Sequence, residues 1–98
     1  MNAKSFRDKV IERVTRGPGD SSAQARQAAF ANAGVAEPMR PLIDKVAKHA
    51  WKVTDEDVAA VRGAQTDDQV YEQVVAAALG QASRQLDAAL AALAEAAE

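Results

Sequence analysis

The apolar positions of the chain fall into five segments with the three-to-four-residue recurrence of amphipathic helices. Phe6, Val10, Ile11 and Val14 recur in this way over Ser5–Arg16, with Lys9, Glu12 and Arg13 on the opposite side, and Gly17-Pro18-Gly19 ends the segment. Asp20, Ser21 and Ser22 offer N-caps for a second helix over about Ser22–Ala33, which is rich in alanine and has Phe30 as its one large apolar residue. Gly34 is placed to be its C′ residue. Pro38 and Pro41 suit the first turn of a third helix, where a missing N–H costs nothing. Leu42, Ile43, Val46, Ala47 and Ala50 form the buried face of that helix, which runs to about Trp51 or Lys52.

Two more start signals follow. Thr54 stands before Asp55, Glu56 and Asp57, so a capping hydroxyl precedes three acids in the first turn, where the helix dipole favours them. Val58 and Val61 supply the buried side of this short helix, and Gly63 closes it. Thr66-Asp67-Asp68-Gln69 repeats the device as a capping box and opens the longest segment. In it Val70, Val74, Ala78, Leu79, Ala82, Leu86, Leu90 and Leu93 hold a helical stripe almost to the end, and the Ala-rich stretch Ala88–Glu98 is its frayed tip. The β-branched residues do not alternate, so no strand is predicted. The expected fold is all-α: about five helices in one small domain over residues 1–98, with a long C-terminal helix, completed by oligomerisation.

Composition narrows the chemistry. The chain has 98 residues, and a domain of that size buries roughly 60–65% of its unfolded surface, so covering a helix face with a second copy is a gain in stability. It contains no cysteine, which removes disulfides, thiolate metal sites, thiol nucleophiles and dithiol redox chemistry. No cofactor or metal is expected. No apolar run approaches the ~20 residues that span a bilayer, so no membrane contact is expected and the cytoplasm is the default location.

The net charge of −2 hides an uneven distribution: Met1–Val53 carries +5 and Thr54–Glu98 carries −7. The halves are expected to attract each other, within a subunit or between subunits. Nucleic-acid binding is not expected, because acids are interleaved with the bases and no aromatic platform accompanies them.

The stretch Ile43–Leu90 resembles the C-terminal half of AhpD-like proteins, the carboxymuconolactone decarboxylase superfamily. Thr54–Val58 stands where that family has its "T-x-E-D-V" helix start, Thr66–Val70 where it has its "S/T-D-x-x-I/V" turn, and Arg84 with Leu86–Leu90 where a long helix ends in "L-x-D-A-L". The resemblance implies an AhpD-like helical arrangement over 43–90, with residues 1–37 a helical part of no assigned family. The Cys-x-x-Cys-x-x-x-His motif of the family's peroxidases is absent, and Leu79-Gly80 replaces its aromatic–Asn pair. Thiol peroxidase activity is therefore ruled out, whereas the decarboxylase branch works without that motif.

Two functions follow as expectations. The first is a non-catalytic AhpD-like protein acting through a homo-oligomer or a second protein subunit. Ala76 and Gly80 would form its contact, because a glycine costs about 1 kcal/mol in a helix interior and close packing is the best reason to keep one. The alternative is a cysteine-free enzyme or small-acid binder in which His49 is a general base and Arg84 holds a carboxylate. The simpler roles are a histidine on the last carbonyls of the third helix and a structural ion pair for Arg84, with Asp87 or a more distant acid. Trp51 and Tyr71 are read as core-edge aromatics, and Asp55, Glu56 and Asp57 as solvated charges rather than cation ligands.

Overall fold

The computed structural model of the protein describes residues 3–97, with side chains from residue 5 onward, so Glu98 of the Ala-rich tip lies outside it. Helix α1 spans Ala3–Arg16, α2 Ala23–Ala31, α3 Arg40–His49, α4 Asp55–Ala59 and α5 Asp67–Ala96, and a 3-10 turn over Ala50–Lys52 prolongs α3. No strand occurs among the described residues.

The ends of these helices are set by local chemistry. Ser22 accepts from the Ala25 N–H and starts α2. Its end comes earlier than the glycine suggested: Asn32 takes the left-handed conformation, and the Asn32 and Ala33 N–H groups close back on the Ala29 and Ala28 carbonyls. Asn32 then donates to Asp44 of α3 at 3.2 Å, so the cap also ties two helices together. Pro41 lies in the first turn of α3, while Pro38 precedes that helix in a turn. Both predicted capping boxes are present, Thr54 with Asp57 on α4 and Thr66 with Gln69 on α5.

Helix α5 is the axis of the molecule, and α2, α3 and α1 all pack against it, α1 reaching as far along as Asp87 through Arg7. The core joins Ala29, Val35, Met39, Leu42, Ile43, Val46, Val61, Val70, Ala76 and Ala77. Among the residues of α5 the buried set is Val70, Gln73, Ala76, Ala77, Gly80 and Ser83, small side chains and one amide. This corrects the expected stripe, because Ala78 and Ala82 are exposed and the leucines beyond them face solvent. The cause is the close crossing of α2: a Cβ on Gly80 would meet the Phe30 backbone carbonyl directly. Only small side chains fit there, so the large ones are left to another face.

A thirty-residue helix is about 45 Å long at 1.5 Å per residue. The nine residues of α2 and ten of α3 cover only part of it. The molecule is accordingly elongated, 52 × 29 × 20 Å, and every residue from Arg84 to Ala97 is exposed.

Candidate interaction surface

The residues proposed for a catalytic pocket have other positions and partners. His49 closes α3 on the exposed surface, its ring edge-on to that of Trp51 at 5.2 Å. Arg84 donates from Nη1 to the Phe30 carbonyl at 2.7 Å and from Nη2 to Gln81 Oε1 at 3.3 Å. Phe30 lies in the last turn of α2, so Arg84 satisfies a carbonyl that has no helical partner and sets its charge at the negative end of that helix. The acid expected to pair with Arg84, Asp87, is held instead by Arg7 of α1 at 2.7 Å. Five surface clefts of about 260 to 570 Å³ are lined by neither His49 nor Arg84.

The expected oligomer contact is also relocated. Ala76 and Gly80 are both buried within the chain, Gly80 against the Phe30 backbone of α2, so the close approach that the glycine signals is intramolecular. Trp51 and Tyr71 are more exposed than core-edge positions, at 77% and 70%. Asp55 and Glu56 are solvated, while Asp57 accepts from Lys45 at 2.8 Å and from the Thr54 N–H, and the Lys45 ammonium first and the cap second hold its carboxyl below the usual range. Among the described residues no group of three acids or histidines is placed to hold a metal ion.

The arrangement does leave one large unpartnered feature. Leu86, Leu90 and Leu93 are 47%, 52% and 66% exposed on the free half of α5. At 3.6 residues per turn they lie about 110° around the helix from the buried set Gln73, Ala76, Ala77, Gly80 and Ser83. Scattered surface leucines are ordinary, but three on one stripe of an otherwise alanine-rich segment form a contiguous patch. The ionisable group nearest that stripe, Asp87, is already neutralised by Arg7. Sequence periodicity located these leucines on one helical stripe but did not separate them from the core. The signal that separates them from it is length, since α5 is too long for the other helices to cover.

A second polar assembly is structural. Glu72 of α5 accepts from the Ser21 hydroxyl at 2.6 Å, the Ser21 N–H at 2.8 Å and the Asp20 N–H at 2.9 Å. These bonds, led by the hydroxyl, hold its pKa at about 2. Beside it Arg26 is buried and donates to the Val14 carbonyl in the last turn of α1 at 3.0 Å.

No family model, curated protein or solved structure matches the chain. No helix among the described residues is long and apolar enough to cross a membrane.

Proposed function

We propose that this is a non-catalytic, AhpD-like helical protein that works by self-association through the free half of α5. The observation that carries the reading is the exposed stripe Leu86, Leu90 and Leu93 on a segment whose residues are all in contact with solvent. An isolated helix of this length is marginal in water however rich in alanine, and packing of an apolar face is what stabilises helices in proteins. Each half-exposed leucine has about 1 kcal/mol left to gain by burial. The catalytic alternative draws no support from His49 and Arg84, which line none of the five clefts described above, while the Arg84 guanidinium is occupied by a helix end.

Native mass measured by analytical ultracentrifugation at tens of micromolar tests this reading. The expected result is a defined oligomer, and a strict monomer overturns it. In Leu90→Glu/Leu93→Glu the fold should persist, because both positions are exposed, and the dissociation constant should rise about a thousandfold.

A further inference from the structure

We propose that the free halves of α5 pair antiparallel, leucine stripe against leucine stripe, to form a two-helix contact between subunits; this rests on the self-association reading above. The stripe has the spacing such pairing needs: Leu79, Leu86 and Leu93 recur every seven residues, and Leu90 lies between the last two. Beside it runs a second column at the same spacing, Ala82, Ala89 and Ala96, all exposed. Small side chains there let a second helix come close enough for the leucines to interlock.

Charge selects both the occupant and its direction. Asp87 borders the stripe and is cancelled by Arg7, while Arg84 and Glu95 lie on the far side of the helix by their spacing, so the contact face is neutral. A neutral apolar face fits another like itself. Helix α5 carries no basic residue in its last turn, and its C-terminal end therefore presents an uncompensated negative dipole together with Glu95. An antiparallel pair keeps the two negative tips apart, at opposite ends of the contact. A parallel pair would put the two negative tips side by side and crowd both four-helix bodies at one end.

The absence of cysteine makes this directly measurable, because introduced thiols are the only ones present. Ala82 and Ala96 are exposed and about 21 Å apart along the helix, too far to be linked within one chain. In Ala82→Cys/Ala96→Cys a short bismaleimide is expected to yield a covalent dimer, whereas each single variant is expected to remain uncrosslinked, like the parent chain. Dimer formation by the single variants would mean parallel pairing and would overturn the proposal while leaving self-association intact. An oligomer by native mass in which the double variant fails to crosslink places the contact elsewhere and overturns it too. A monomeric parent chain overturns both readings. Circular dichroism of each variant identifies any that has lost the helical fold, and Ala89→Cys, midway along the same exposed column, is expected to crosslink to itself in either direction, so it reports the contact while the Ala82 and Ala96 variants report its direction.

Discussion

Glu72 shows how a single side chain can hold two distant parts of this chain together. The loop before α2 turns its Ser21 hydroxyl and two consecutive N–H groups onto one carboxylate of α5, some fifty positions later. Because the bonds go to the ionised form, the folded pKa of about 2 lies below the ordinary 4.5. A group depressed in this way adds stability that is complete above the ordinary value and is lost as the pH falls through the folded one. Thermal melts are therefore expected to show a loss of stability between about pH 4.5 and pH 2 that Glu72→Gln flattens, along with a melting temperature lower by a few degrees at pH 7 in the variant. An unchanged acid limb would mean that the carboxylate contributes nothing to the latch. The arginines follow a related rule. Arg26 on the Val14 carbonyl and Arg84 on the Phe30 carbonyl each place a guanidinium at the C-terminal end of another helix. A lone arginine in an uncharged run is thus consistent with a ligand, an ion pair or a helix end, and only the third dimension separates them.

At the scale of elements, the crossing of α2 over α5 decides which face of the long helix is inside. Replacing a helical glycine by alanine ordinarily gains about 1 kcal/mol. At Gly80 the sign is expected to reverse, since the added methyl would meet the Phe30 carbonyl and backbone yields less readily than a side chain. Gly80→Ala should lower the melting temperature, and Gly80→Leu should lower it further, with overpacking costs of about 1–3 kcal/mol. A variant that melts at or above the parent temperature would show that α2 can shift without cost. The same crossing explains what the sequence made legible and what it did not. Caps and periodicity are local, and they placed all five helices, the two capping boxes and the break after Arg16. The end of α2 was missed by two residues because Asn32 and Gly34 both take a left-handed conformation, and the first of them, tied to Asp44, already caps the helix. The inside of α5 was misread because apolar size is a poor guide where helices come very close. Ala76, Ala77, Gly80 and Ser83 lose to leucine on any hydrophobicity scale, yet they are the buried positions of α5, Gly80 directly against the α2 backbone. His49 and Arg84 could not be separated by sequence from a paired site, since nothing local states which way the ends of α3 and the middle of α5 face.

For the whole molecule, the opposite charges of the two halves and the apolar stripe answer to different conditions. The basic half meets the acidic half inside one chain, at Arg7 with Asp87 and at Lys45 with Asp57. Both pairs are partly exposed, so each adds little, and that contribution is screened as the Debye length falls from about 10 Å at 0.1 M salt to about 3 Å at 1 M. The leucine face carries no free charge, and apolar burial does not weaken with salt. Raising salt over this range is therefore expected to lower the melting temperature slightly while native mass stays constant. Arg7→Glu should reproduce the lower melting temperature at low salt and differ little from the parent at high salt, whereas Leu90→Glu/Leu93→Glu should change native mass at every salt concentration. Dissociation of the oligomer by salt alone would mean that the basic half of one copy lies on the acidic half of another, and the contact would have to be sought among Lys9, Arg13 and the other exposed charges of α1 rather than along α5.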